Sequence, residues 1–482
     1  MAYLTIIIVY SLAQIALGVW VARRVKGSKD FFVAGRALGP GLLFATFLAA
    51  NIGAGSTIGA AGLGYRDGLS AVWWVGSAGL GSLVLALWVG PRIRRIAAEH
   101  DLKTVGDFLE WRYDRRVRAV VAALLWVGTI AILGGQLIGI AAILTVVVGI
   151  SKMTGCALGA LVVTIYFAAG GLKSSAVVNV VQLAVKLIGF AIALPLVLGA
   201  VGGLDGLRAA SPEPGYWNPW MHGGSGWIYV AMLAPNFIVS PGLVQKVYGA
   251  RDDRTVRIGV GLNAIALLLY ALVPTLLGMA ARVLHPDLLT AGVIHPDLPS
   301  RELSLPYLLM YDVPFWVGAL GLAAVFSAEV SAADAVLFML ATSLSKDLYK
   351  RFVKPEADDR EVVRVARLAS VAGGVAALGV AFLSKTVIAA LSLFYTLVGV
   401  GLFVPVVAGL YMRRARAPEA LAAIAGGIVA VVAARLWNDG NAIGVFTPAM
   451  CGLAAAAAAF AIVALFTRGE SLEGKRSVRS HG

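Results

Sequence analysis

The chain has 482 residues, of which 59% are hydrophobic and only 14% charged. An ordinary soluble domain carries about 25% charged residues, so a set of soluble domains is excluded. The formal net charge of +14 suggests nucleic acid at first sight, but the placement of the charges excludes that reading.

Apolar runs recur at 4–22, 41–65, 70–91, 119–150, 153–170, 175–202, 226–245, 258–281, 313–345, 368–384, 386–412, 417–434 and 445–467. Runs of about 20 apolar residues cross a bilayer as helices. The expected fold is an all-α polytopic membrane protein with about 13 transmembrane helices. Sorted by alternate connections, 32 Lys and Arg fall on one side and 7 on the other, with Lys186 inside a span. The positive-inside rule makes the basic side cytoplasmic. That places the N-terminus outside and the C-terminus in the cytoplasm of a cell inner membrane. The excess charge then faces the anionic lipids of that leaflet. No basic region precedes the first run, and Arg23-Arg24 follow it, as in an uncleaved anchor. Cys156 and Cys451 both lie in apolar runs and imply neither a disulfide framework nor a metal site.

Residues 1–37 are an extra helix and a basic connector. The second run, from Leu43 to Tyr65, is interrupted by Asn51-Ile52-Gly53-Ala54-Gly55-Ser56. Each Gly costs about 1 kcal/mol relative to Ala in a helix. Lipid offers no hydrogen bonds to a loosened backbone, so the break must be buried or face a cavity. Trp73 and Trp74 read as an interface belt. Residues 101–118 read as a short cytoplasmic helix, with Phe108, Leu109 and Trp111 against the membrane. Gly170-Gly171 reads as a tight turn.

Asn179, Gln182 and Lys186 are spaced i, i+3 and i+7 and share a helix face. Polar side chains in a span point into the bundle. The 203–225 and 285–312 stretches are expected outer loops, the latter carrying His285 and His295 as solvated residues. The span from Gly226 holds Pro235-Asn236 and then Ser240-Pro241-Gly242, a second interruption. The broken spans are the second and the seventh, so each opens a group of five. Two such groups of opposite orientation form an inverted repeat, with a site at mid-membrane between the breaks. The divisions are 38–202 and 226–412 for the repeats, and 413–482 for two further helices and a short cytoplasmic tail.

In the span 313–345, Ser327, Ser331 and Asp334 form a polar stripe beside Glu329. A charge there costs about 2.5–3.5 kcal/mol on insertion scales, which favours a functional role. The expected substrate contacts are Asn51, Gly53, Ser56, Asn236, Ser240 and Tyr395, with Ser392, Thr396 and Pro405 on the same wall as the tyrosine. No HExxH, nucleophile elbow or phosphate loop occurs, so the chain is not expected to be an enzyme. A membrane sensor is a further alternative, set against the 16 residues after Phe466, which hold no kinase pattern.

The ordered set Gly35-Arg36, Leu38-Gly39, Ala49–Ile52, Gly64-Tyr65, Thr104–Arg112, Tyr166–Gly171, Gln245-Lys246, Ser331–Asp334 and Lys346–Lys350 resembles the sodium:solute symporter family. That family includes sodium-coupled sugar, proline, pantothenate and choline carriers. The resemblance implies a five-plus-five inverted-repeat core and symport of a small polar solute by alternating access. It also implies a Na+ site formed by the carbonyls of Ala49, Ile52 and Ala328 and the hydroxyl of Ser331. Two positions depart from the family pattern. Ala332 stands where a second hydroxyl is usual, and Val178-Asn179 where Thr-Asp is frequent. Asn179, Lys186, Glu329 and Asp334 are therefore candidates for coupling. A membrane lysine paired with Glu329 or Asp334 offers protonation in place of ion binding, so a proton-coupled (H+) or uncoupled carrier is the alternative expectation.

Overall fold

A computed structural model describes residues 2–22, 36–211, 213–220, 226–289, 296, 298–437 and 446–466; of residues 19, 21, 22, 166–177, 289 and 300 it describes the backbone alone. The described chain is nearly all helix. In order the helices are α1 Ala2–Ala22, α2 Pro40–Asn51, α3 Ile58–Asp67, α4 Val72–Val84, α5 Gly90–Glu99, α6 Val105–Arg112, α7 Arg115–Val148, α8 Lys152–Ala200 and α9 Gly203–Ala209. They continue as α10 Gly226–Val239, α11 Pro241–Tyr248, α12 Asp253–Tyr270, α13 Leu272–Leu284, α14 Ser300–Tyr311 and α15 Phe315–Thr342. The last are α16 Asp359–Leu383, α17 Val387–Val398, α18 Val404–Tyr411, α19 Ala417–Trp437 and α20 Pro448–Phe466. Among the described residues, 10 helical segments are long and apolar enough to cross a membrane. Three shorter apolar stretches, Ala2–Gly18, Pro40–Asn51 and Lys152–Ile165, accompany them.

Both expected interruptions are present. The first separates α2 from α3, with a single 3-10 turn at Ala54–Ser56 between them. Gly53 lies extended there, at φ −145° and ψ −161°. A Cβ at Gly53 would overlap the Cβ of Ala332 and lie 2.8 Å from Gln136 Oε1. The residue is thus glycine because α7 and α15 close on it. The second interruption is narrower than expected. Only Ser240 leaves the helix, between α10 and α11. Pro235 stays inside α10, where Asn236 Nδ2 donates to the Met232 carbonyl of the same turn at 2.7 Å.

Helix α15 packs along α8 and α7, and α2 packs on α8, α12 and α15. The chain entering α2 meets the chain leaving α11. Leu38 N–H donates to the Gly249 carbonyl at 3.0 Å, and Arg251 N–H to the Leu38 carbonyl at 3.2 Å. One short parallel bridge thus ties the start of the first broken helix to the end of the second.

Several local expectations are corrected. Helix α8 runs on through Gly170-Gly171. No proline occurs there, and a glycine pair costs only about 2 kcal/mol against alanines. Phe108 and Leu109 are fully buried in protein, not laid on the membrane. The 285–312 stretch is partly helical (α14), and α14 packs on α3. His285 is not simply solvated, since its Nε2 lies 2.7 Å from Asp312 Oδ2. His295, the 23–35 connector with Arg23-Arg24 and Gly35, and the tail after Phe466 lie outside the described residues.

Candidate functional site: a cavity between two helix breaks

The first break leaves carbonyls at the C-terminal end of α2 without their helical partners, which must be supplied from elsewhere. The Asn51 carbonyl accepts from Ser56 Oγ at 2.9 Å. The Gly53 carbonyl lies 2.9 Å from Thr57 Oγ1, whose one hydrogen goes either here or to Glu329 Oε1. The Ala49 carbonyl accepts from Ser331 Oγ at 2.9 Å and from Lys186 Nζ at 3.0 Å. The Ile52 carbonyl accepts from Lys186 Nζ at 3.2 Å. Ser331 Oγ is itself 2.5 Å from Lys186 Nζ and 3.1 Å from the Ala328 carbonyl. The four residues expected to hold sodium therefore converge between α2 and α15, around the ammonium of Lys186.

Lys186 and Ser331 are fully buried. A second monovalent cation about 3 Å from an ammonium meets about 5 kcal/mol of repulsion, even at an effective dielectric of about 20. The cradle as built does not fit a sodium ion beside Lys186. Glu329 is also fully buried, and its Oε1 lies 2.7 Å from Thr57 Oγ1. Asn179 and Gln182 are buried on the same face of α8 as Lys186, as their spacing predicts.

On the other side of the first break lies a cavity, partly open to solvent. Asn51, Gly53, Ser56, Ser240 and Tyr395 line it, as expected of substrate contacts. Asn236 does not. Its amide turns to its own helix, and its Oδ1 has no hydrogen-bond partner among the described residues. Asn51 Nδ2 donates to Asn263 Oδ1 at 3.2 Å, which fixes its rotamer.

The sequence reading left many lining residues unassigned, and four of them bear on recognition. Trp74 is 4% exposed, so it is a cavity wall and not an interface belt; its ring meets Tyr229 and Tyr395 edge-on at 5.4 and 6.0 Å. Gln136 on α7 accepts from the Ala54 N–H at 2.9 Å through Oε1. Phe237 lies 5.6 Å from the Tyr395 ring. Lys246 lines the cavity and donates to the Thr46 carbonyl at 2.8 Å. Of these, Lys246 alone gave a signal, as part of the Gln245-Lys246 pair that carries the family resemblance. The other three take meaning only from partners far away in sequence.

Among the described residues, a nearly all-helical membrane bundle with two broken helices beside one cavity has the architecture of a secondary transporter of the inverted-repeat class. Residues 31–429 match the sodium:solute symporter family, and the chain belongs to that family. It is similar to the sodium/glucose cotransporter of Vibrio parahaemolyticus, 27% identical over 75% of this chain and 71% of the relative. The sodium/pantothenate symporter of Escherichia coli is 28% identical over 90% and 89%. Among solved structures, a substrate-bound, outward-open Na+-coupled sialic acid symporter superposes with a TM-score of 0.82 at 20% identity, over 98% of this chain and 99% of that one. A nucleobase-cation-symport-1 family transporter with bromovinylhydantoin bound gives 0.60 at 16% identity, over 92% and 97%. The fold is thus an all-α inverted-repeat transporter fold, and the chain is not an enzyme.

Proposed function

We propose that this chain carries a small polar organic solute across the cell inner membrane by alternating access, with the solute held between the two helix breaks. One observation carries the reading. Backbone and side chains from the first break (Asn51, Gly53, Ser56) and from the second (Ser240, Gly242) border the same cavity. Polar groups at broken helix ends, backed by Trp74, Phe237 and Tyr395, suit a solute with hydroxyl or amide groups on an apolar frame. Rocking one repeat against the other then exposes the cavity to each side in turn. Coupling requires an ion that distinguishes the two states, because a ligand shifts only states it discriminates. Family membership and the sodium-coupled neighbour make sodium the first ion to test as the driver. The N-terminus is outside and the C-terminus cytoplasmic, as the charge split supports. The repeats are assigned to 38–202 and 226–412.

The test uses vesicles that contain only this protein. Labelled glucose, pantothenate, choline and sialic acid are offered with inward gradients of sodium or of protons. Saturable uptake of a solute above empty vesicles supports the reading, and a higher KM for Asn51→Ala or Ser240→Ala supports the assigned contacts. Solute binding without any transmembrane movement favours a sensor instead.

A further inference from the structure

The oxygens that the family would give to a sodium ion are in contact with a side chain of this protein. We propose that Lys186 is the resident cation of the Ala49–Ile52–Ser331 cradle, a tethered ammonium that closes this position to sodium. The inference rests on the carrier reading above and goes beyond it by assigning the cradle its occupant.

The donor–acceptor pattern carries the assignment. Lys186 Nζ has three oxygens within 3.2 Å, two carbonyls and one hydroxyl. An ammonium has three N–H donors and no acceptor, so the match is complete. Ser331 Oγ spends its own hydrogen on a carbonyl, at Ala49 or Ala328, and is left to accept from Lys186. Next to it, Ala332 brings a methyl where a bare ion would use another oxygen.

The electrostatic setting agrees. The carbonyls of Ala49 and Ile52 close the C-terminal end of α2, where the helix dipole favours a cation. One turn earlier, the Thr46 carbonyl of the same helix accepts from Lys246. Two buried ammonium groups thus serve the end of one broken helix. Glu329 is buried across the break, with its Oε1 2.7 Å from Thr57 Oγ1. The groups facing Lys186 from α2 and α15 hold these two helices to α8 without any ion. Sodium drive, if vesicles show it, is carried by other oxygens of the chain.

The test measures sodium at this cradle without needing the solute. Purified wild type, Ser331→Ala, Lys186→Ala and the double variant Lys186→Ala/Ser331→Ala are melted in equimolar NaCl and KCl, and radiosodium binding is measured at equilibrium. Lys186→Met stands in if the alanine variant does not fold. In wild type, Ser331→Ala is expected to leave the NaCl–KCl difference in Tm unchanged. Lys186→Ala is expected to gain a Tm rise specific to sodium and about one added radiosodium per chain, both lost in the double variant. Sodium-specific stabilisation of wild type that Ser331→Ala abolishes overturns the proposal. So does a Lys186→Ala protein with no gain of sodium, because the oxygens then form no cation cradle. Neither result bears on the carrier reading, which fails on solute uptake alone.

Discussion

The tightest contact at the first break gives the most demanding prediction, Gly53→Ala. The added methyl overlaps the Cβ of Ala332 and stands 2.8 Å from Gln136 Oε1. Overpacking of this kind costs about 1–3 kcal/mol. Displacing Gln136 weakens its bond to the Ala54 N–H, 2.9 Å long, for about 0.5–1.5 kcal/mol more. The expected total is about 1.5–4.5 kcal/mol. Ala332→Gly removes one of the two obstacles but costs about 1 kcal/mol as a helical glycine. The two substitutions should therefore be non-additive, with a coupling energy of about 1–3 kcal/mol in the double variant. The assay is a double-mutant cycle on thermal stability in detergent. A Gly53→Ala protein that melts like wild type refutes the close approach of α7 and α15 to the break. Strict additivity refutes the contact with Ala332.

Ser331→Ala removes one of the three acceptors around Lys186 and should cost about 1.5–3 kcal/mol, read as a lower Tm in any salt. Trp74→Ala strips the cavity of the ring that meets Tyr229 and Tyr395; once a solute is identified, its KM should rise with little change in surface expression. Arg118→Met leaves the buried Asp347 without its 2.6 Å partner and weakens the grip on Glu110, for a loss of about 3–5 kcal/mol in melting experiments. Burial pushes the Glu110 carboxyl up, but hydrogen bonds from Arg351 and Arg118 hold it below its ordinary value. Its ionised form therefore adds stability above the usual carboxylate range, and that stability is lost as pH falls through the lowered value. Glu110→Gln should melt below wild type at neutral pH, and the gap should close on acidification.

Local composition made the first break legible. Gly53 and Gly55 weaken the helix whatever surrounds them, and the oxygens they release reach Ser331, as the family resemblance implied. Helical spacing was equally direct for Asn179, Gln182 and Lys186, which share a buried face of α8. The destination of Lys186 was not legible. Spacing gives a face but not a partner, and acids at Glu329 and Asp334 looked like better company than two carbonyls 137 and 134 positions away. Pro235 shows the opposite error. A proline signals a break, yet the side chain of the next residue bonds within the same turn and the helix continues. Trp74 and Gln136 became site residues only through tertiary contact, since neither lies in a run whose pattern differs from lipid-facing helix.

The most direct measurement is solute counterflow. Vesicles containing only this protein are preloaded with an unlabelled solute of the uptake panel, and entry of the labelled solute is followed with no ion gradient. Alternating access predicts a transient overshoot of label above equilibrium, because the loaded carrier returns faster when it carries internal solute. Entry that rises only to equilibrium, at a rate indifferent to the internal solute, contradicts it.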